Sequence, residues 1–272
     1  MEQLEVIWKE KYRIGPSIGY YLNPKKCVLR SHQGNLECSP TMLEAGIQIR
    51  QYGVKYLGGY IGQHEYTRQQ IAYEIQKRTK AADVLKEISH YDAFAAFTLL
   101  TKCIQHKQNC VLRMTKIDEL QLEGWQNTLL KETVPSILKR DSLDEELCGL
   151  LTLTSKQEGM GIRDASRKSS SEFDNSNRIC TAYEQNEQDY SRRLKEIRDA
   201  VRKENIEKNR NLHLDLIQNS EKNLKSICTN AAQTGASSWI TTYGNVDDLW
   251  LNTTEFHNAV ANRYSLSIPL VN

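Results

Sequence analysis

Backbone-breaking residues are spread very unevenly along this 272-residue chain, and this constrains its fold more than any other feature. Glycine and proline recur at short intervals near the start, whereas residues 189–232 contain neither. Closely spaced breakers favour short extended segments joined by turns, and a long stretch without them permits a long helix. The early breakers are Gly15, Pro16, Gly19, Pro24, Gly34, Pro40, Gly46 and Gly53.

Two early segments have the composition of strands. Residues 26–29 and 54–57 combine β-branched, aromatic and aliphatic side chains, which are enriched in pleated sheets. We therefore expect short strands there. Gly58, Gly59 and Gly62 follow, and we expect them to end the sheet-like region.

From Glu65 onward the apolar residues take a helical spacing. A second helix is expected after Asp92, whose carboxylate can accept hydrogen bonds from the first amides of that helix. A third is expected from about Asp118 to Leu138, with Pro135 kinking its end. Three consecutive amphipathic helices predict a small bundle. The apolar stripe of the first comprises Ile71, Ile75, Ala82 and Leu85.

The later part of the chain is strongly polar. Residues 155–191 have the composition of a linker or loosely packed loop. Residues 189–232 predict a long helix with two separate apolar stripes, which do not make sustained heptads. Its basic residues favour a solvated face over phosphate contacts. These are Arg192, Arg193, Lys195, Arg198, Arg202 and Lys203.

Composition excludes several classes of protein. A net charge of +2 is too small to indicate nucleic-acid binding unless the charge is localised. The chain has no apolar run near the ~20 residues of a membrane span and no apolar leader, so we expect an intracellular protein with no membrane partner. The seven scattered cysteines predict free thiols.

One group of residues raises the question of a metal. A helix would place Cys103, His106 and Cys110 on one face, where they could supply three zinc ligands. A fourth ligand at zinc-finger spacing is missing, and the surrounding segment is apolar. We favour a core-facing segment and expect neither a metal site nor a small-molecule cofactor.

Two motifs carry a family resemblance. The first runs through residues 19–26, Gly-Tyr-Tyr-Leu-Asn-Pro-Lys-Lys, and the second is Tyr56-Leu57-Gly58. Together they resemble the end of the palm of reverse transcriptases, particularly those of non-LTR-type retroelements. In that family the second motif is the primer grip, a β-hairpin that holds the primer terminus.

Later segments resemble the same family in the same order. Residues 155–162 are similar to its Gly-Leu-Gly-Ile signature, and residues 235–240, Glu255-Phe256 and Arg263-Tyr264 are similar to a further stretch. The resemblance implies a mostly helical α+β fold. The expected parts are a partial palm with a primer-grip-like hairpin (1–63), a thumb-like helical region (64–140), a loop-rich linker (141–190), and a long helix with a C-terminal helical region (191–272).

The resemblance also implies the site. Tyr56, Leu57 and Gly58 would contact a primed RNA/DNA duplex, with Asn23 and Lys26 on the preceding palm segment. In such polymerases a lysine at the position of Lys26 lies near the incoming triphosphate. An exposed lysine at the end of a strand is the alternative for Lys26.

The departures from the family concern catalysis. Phosphoryl transfer there depends on Mg²⁺ held by palm carboxylates, and this sequence contains no Tyr-Ala-Asp-Asp. Its only Asp-Asp pair, Asp247-Asp248, lies far from that context and suits a turn or a helix cap. We therefore expect no catalytic residues and no polymerisation by this chain alone. Three hypotheses remain: an inactive reverse-transcriptase remnant, a non-enzymatic helical interaction module, and a polymerase completed by another chain.

Overall fold

The computed structural model describes residues 2–30, 40–185, 189–219, 222–233, 237–241 and 250–267. The chain divides into two compact units, Met1–Gln70 and Ile71–Asn272. The boundary falls inside a helix that was expected to belong wholly to the second predicted part. The described residues are mostly helical with a few short strands, which confirms the expected fold class at that level.

The first unit contains the strands. It comprises α1 (Glu2–Ile14), β1 (Val28–Leu29), α2 (Pro40–Glu44), β2 (Gln48–Ile49), β3 (Gly53–Tyr56), β4 (Gly59–Gly62) and the start of α3 (His64–Ser89). β1 pairs with β2 in parallel, and β3 pairs with β4 antiparallel.

Two expectations for the first unit are corrected. Residues 2–14 form a helix, where only extended pieces had been expected; an ion pair between Lys9 and Glu5, one turn apart at 2.9 Å, suits that conformation. The strand expected over 26–29 is shorter, because Pro24–Lys26 form a 3₁₀ turn that precedes β1. The strand expected over 54–57 is present as β3, which ends at Tyr56. The glycines after it do not end the sheet, because Gly59–Gly62 form β4.

The regular elements described in the second unit are all helices. Its elements are the rest of α3, α4 (Ala93–Lys102), α5 (Asn109–Met114), α6 (Glu119–Thr128), α7 (Val134–Ile137), α8 (Glu145–Leu151), α9 (Ala165–Gln185), α10 (Tyr190–Asn219), α11 (Lys222–Ala231), α12 (Ser238–Thr241) and α13 (Thr253–Tyr264). None of these described helices has an apolar stretch long enough to cross a bilayer.

The predicted helix starts are confirmed by their caps. The Asp92 carboxylate accepts a hydrogen bond from the Ala95 amide at 2.8 Å, and the Asp118 carboxylate accepts one from the Leu120 amide at 3.1 Å. The helix expected over 118–138 is present as α6, a π-helical turn (Leu129–Thr133) and α7. The turn precedes Pro135, which has no amide to donate to the preceding turn.

The core of the second unit includes an aromatic cluster. Phe256 of α13 is fully buried, and its ring centroid lies 5.7 Å from that of Phe94 and 5.6 Å from those of Phe97 and Trp239. Asn252 and Glu255 form a capping box at the start of α13. This fixes the entry of α13, whose buried face packs against α4.

The linker expected over 155–191 is wrong. Residues 165–185 form α9, which packs against α5, α6 and α10. The Gly-Met-Gly-Ile segment before it is also ordered, because the Met160 and Ile162 amides both donate to the Leu151 carbonyl at 3.2 Å. Of the long helix expected over 189–232, residues 190–219 form α10 and residues 222–231 form α11.

Candidate nucleic-acid interface

The Tyr56-Leu57-Gly58 motif forms the tip of a β-hairpin. β3 and β4 pair from Gly53 opposite Gly62 to Tyr56 opposite Gly59, which leaves a two-residue loop. Both loop residues have positive φ, 48° at Leu57 and 87° at Gly58. This is the backbone that a type I′ turn requires, and it matches the twist of the strands. The hairpin expected from the resemblance is therefore present in the fold.

Leu57 is the unusual residue of this turn. A left-handed backbone costs a residue with a side chain roughly 1–2 kcal/mol, and asparagine or glycine normally occupies this position. The leucine gains little by burial, since it is 72% exposed and the neighbouring Tyr56 is 55% exposed. Two large side chains thus extend into solvent from a stiff turn. Local strain of this kind is characteristic of binding and switch regions.

Glycines at the base of the hairpin permit close packing. A Cβ added to Gly62 would lie 2.7 Å from the Gly53 Cα and 2.8 Å from Cδ1 of Tyr66. The Tyr66 ring can therefore lie on the glycine pair only because neither residue has a side chain. Tyr66 also makes an edge-on contact with the buried Tyr60 at 6.5 Å between ring centroids. These contacts anchor the hairpin on α3.

A cleft of about 810 Å³ lies beside β3. Its charged lining residues are Arg50 and Lys55, and no acidic residue lies among the residues that line it. Arg50 donates to the Gln48 side chain at 2.7 Å, and the Lys55 ammonium lies 5.2 Å from the centroid of the Tyr60 ring. The cleft is therefore positively charged and rich in hydrogen-bonding groups. Its polar and aromatic lining also includes Gln48, Gln51, Tyr52, Tyr66 and Gln70.

Sequence reasoning did not single out this cleft. Its signal lies in residues 48–55, where two glutamines, an aromatic residue, Arg50 and Lys55 occur close together along β2, β3 and the connection between these strands. Lys55 connects the cleft to the hairpin tip, because it directly precedes Tyr56 on β3. None of the five predicted site residues lines the cleft.

Asn23 and Lys26 occupy a separate turn. Both are exposed, and the Asn23 carbonyl accepts a hydrogen bond from the Lys26 amide at 3.0 Å within the 3₁₀ turn before β1. A side-chain hydrogen bond from Gln48 to the Lys25 carbonyl, at 3.4 Å, links this turn to β2. Within residues 2–30 and 40–70, no described hydrogen bond joins Asn23 or Lys26 to the hairpin tip. The structure thus assembles Tyr56, Leu57 and Gly58 but does not bring the other two to them.

Charges near the start of α3 are already paired. Arg68 donates to the Glu65 carboxylate through Nε and a terminal nitrogen, both at 3.0 Å. Hydrogen bonds from Arg68 and then from Gln69 lower the pKa of Glu65. Arg68 is therefore already engaged at the start of α3.

The sequence also raised two other candidates, a group of three possible metal ligands and an Asp-Asp pair. Cys103, His106 and Cys110 do not share a single helix, because α4 ends at Lys102 and a 3₁₀ turn follows it. In the described part of the chain, these three do not group as metal donors. Asp247-Asp248 and residues 235–236 of the last landmark lie outside the described residues. The described cysteines are free thiols, as expected.

Comparison with known proteins adds no relative. Neither the protein-family models, nor the curated proteins, nor the solved structures contain a match to this chain.

Proposed function

We propose that this chain is a reverse-transcriptase-derived protein that binds primed RNA/DNA duplex through the β3–β4 hairpin and does not polymerise by itself. The observation that carries the proposal is the strained two-residue turn that presents Tyr56 and Leu57 to solvent. The reverse-transcriptase origin in this proposal is inferred from the order of the sequence motifs.

The chemistry of the hairpin suits a sugar-phosphate chain. An exposed aromatic ring can stack on a base or sugar whatever the sequence, and such stacking contributes about 1–3 kcal/mol per base. Gly58 has no side chain, so a nucleic-acid backbone can approach the turn closely. Lys55 and Arg50 line the cleft beside β3 and supply cations for phosphate contacts. Lys26, exposed on its own turn, is assigned a secondary phosphate contact.

A binding titration tests the hairpin directly. Fluorescence anisotropy with a labelled DNA primer on an RNA template would compare the wild type with Tyr56→Ala. Loss of one stacking contact predicts roughly 5- to 150-fold weaker binding. Tyr91→Ala is the matched control, since Tyr91 is 88% exposed and lies in the other unit. Equal losses in the two variants would contradict the proposal.

Salt dependence tests the phosphate contacts. The slope of log K against log salt should flatten by about one for Lys55→Ala, because one phosphate contact disappears. Lys26→Ala is tested in the same way, with a smaller change expected, whereas Asn23→Ala removes no charge and should leave the slope unchanged. A salt-independent affinity would favour the interaction-module hypothesis.

Polymerisation requires its own assay. The chain should not extend the primer with Mg²⁺ and deoxynucleotides, because its sequence contains no Tyr-Ala-Asp-Asp. Extension that starts only when a second polypeptide is added would favour the hypothesis of a polymerase completed in trans. Extension by the purified chain alone would overturn the assignment.

A further inference from the structure

Three side chains with metal-binding atoms meet inside the second unit. Glu158 lies just after a 3₁₀ turn (Ser155–Gln157), His213 lies on α10 and Cys228 lies on α11. One carboxylate oxygen, one imidazole nitrogen and the thiol sulfur all lie within 4.8 Å of one another. It is the only such group of three that the described residues form.

The cluster is shielded from solvent. Cys228 is 7% exposed, and the side chains of Glu158 and His213 are 12% and 21% exposed. Glu158 Oε2 and His213 Nε2 approach to 2.6 Å, and the two side chains form an ion pair when the imidazole is protonated. The Cys228 sulfur lies beside this pair, so three possible ligand atoms converge on one point. A zinc ion bound there would move the carboxylate oxygen and the imidazole nitrogen apart to about 3.3 Å, since each would lie about 2.0–2.1 Å from a tetrahedral metal.

We propose that Glu158, His213 and Cys228 form a binding site for a zinc-class divalent cation. Oxygen, nitrogen and sulfur donors of these types are the zinc ligands of proteins, and three protein ligands leave a fourth position for water. Thiolate and imidazole together favour zinc over magnesium or calcium, which select oxygen donors. The site would tie the loop before Ile162 to α10 and α11. It does not depend on the hairpin or on nucleic-acid binding.

The backbone at Glu158 supports this assignment. Its φ is 62°, a left-handed conformation that glycine adopts far more easily than glutamate. The next residue, Gly159, cannot carry a side chain, because an added Cβ would lie 2.7 Å from the Leu150 carbonyl oxygen. The turn nevertheless places the Glu158 carboxylate 2.6 Å from His213 Nε2. Residues held in a strained backbone conformation cluster at ligand-binding and active sites.

Neighbouring side chains hold the ligand-bearing backbone. The Tyr264 hydroxyl donates to the Glu158 carbonyl at 2.9 Å. The Arg263 guanidinium donates to the Ala231 carbonyl at 3.2 Å and to the Ser237 hydroxyl at 3.0 Å. These bonds fix the Glu158 turn and the end of α11, as outer-shell contacts do at metal sites. Arg263 is a nearby cation, but a thiolate and a carboxylate together carry enough negative charge for a divalent ion.

Metal binding at this site must release a proton. Zinc binds cysteine as the thiolate, whereas a free thiol is mostly protonated at neutral pH. A cation converts the thiol to a bound thiolate, so a metal–sulfur bond forms as the S–H bond breaks and the proton goes to solvent. No oxidation or reduction is involved.

Cobalt titration of the full chain provides the first test. Co²⁺ substitutes for zinc, and a bound thiolate gives an intense near-ultraviolet charge-transfer absorption. We expect this absorption to saturate at one equivalent of Co²⁺ and to disappear when Zn²⁺ is added. A wild-type protein that takes up Co²⁺ without a thiolate absorption would overturn the proposal, whatever the variants do.

Variants locate the site. Cys228→Ser should abolish the absorption and weaken zinc binding by at least about 100-fold, whereas Cys180→Ser, an exposed cysteine on α9, should bind as the wild type does. Glu158→Gly should also lose zinc, and it retains the turn because glycine accepts positive φ. Circular dichroism in a chelator checks that each variant is folded. Zinc-induced thermal stabilisation that is equal in the wild type and Cys228→Ser would contradict the site.

Discussion

Truncating Phe256 should produce one of the largest stability losses of any single substitution in this chain. The side chain is 0% exposed and contacts three aromatic rings from α4 and α12. Removing a buried phenylalanine ring costs about 3–5 kcal/mol. The loss of edge-on and tilted aromatic contacts places Phe256→Ala towards the upper end of that range. For a unit the size of Ile71–Asn272 this corresponds to a fall in Tm of roughly 6–20 °C.

Thermal unfolding followed by circular dichroism measures this fall. Leu120→Ala is the control, since Leu120 is 70% exposed on α6 and its truncation should change stability by less than about 0.5 kcal/mol. Phe256→Leu should lose less than Phe256→Ala because it fills part of the space. A Phe256→Ala variant that melts with the Leu120→Ala variant would show that α13 does not dock on α4 as described.

Two further predictions concern the turn and pH. Leu57→Asn should stabilise the hairpin by about 1 kcal/mol, since asparagine tolerates positive φ. Denaturant unfolding measures this gain, and a destabilised variant would show that Leu57 is not strained. Burial, followed by Lys139 and Arg140, lowers the pKa of His257 despite its bond to Ile137, so the neutral ring stabilises the fold. The stability of the fold should therefore fall as pH drops below about 6.5. In thermal melts, His257→Gln should flatten this pH dependence. A variant with the same pH dependence as the wild type would show that His257 does not cause it.

Local signals in the sequence were sufficient for the first strand of the hairpin and for the helix starts, but not for β4, whose glycines were expected to end the sheet. Asp92 and Asp118 each precede an apolar-periodic segment, and each carboxylate accepts an amide of the first turn. The hairpin depends on residues that touch along a short stretch of chain, so its strand and turn residues are adjacent in the sequence. Such features follow from the chain itself, before any distant contact forms.

The serine-rich helix α9 shows where local composition misleads. Serines are typical of loops because their hydroxyls compete for backbone groups. In α9 the Ser169 and Ser171 hydroxyls donate to the carbonyls of Ser166 and Lys168 in the preceding turn, at 2.9 and 3.1 Å. Their polar groups are thus satisfied within the helix, and Ser169 can be buried at 2% exposure. The helix is stabilised by packing against α5 and α6, whose residues lie far from α9 in the sequence.

The Glu158–His213–Cys228 cluster could not be found from spacing. Zinc motifs are recognisable when ligands recur at short intervals, which is why Cys103, His106 and Cys110 drew attention. Here the three donors come from a turn and two later helices, and the fold alone brings them within 4.8 Å. The residues that spacing in the sequence suggested are therefore not the residues that the fold brings together. Among the described residues, only the second set has three possible ligand atoms close to one another.

The two proposals rest on different atoms in different units, so their experiments can separate the origin of the chain from its present role. Zinc-dependent stability with no affinity for primed duplex would mean that the helical unit persists as a metal-stabilised interaction module, whatever the ancestry of the hairpin. Duplex binding that Tyr56→Ala removes and chelators leave intact would mean that the grip acts without help from the metal. If Tyr56→Ala and Cys228→Ser each weakened duplex binding, the helical unit would have to contribute to the interface, and the basic residues of α10 would be the first to substitute.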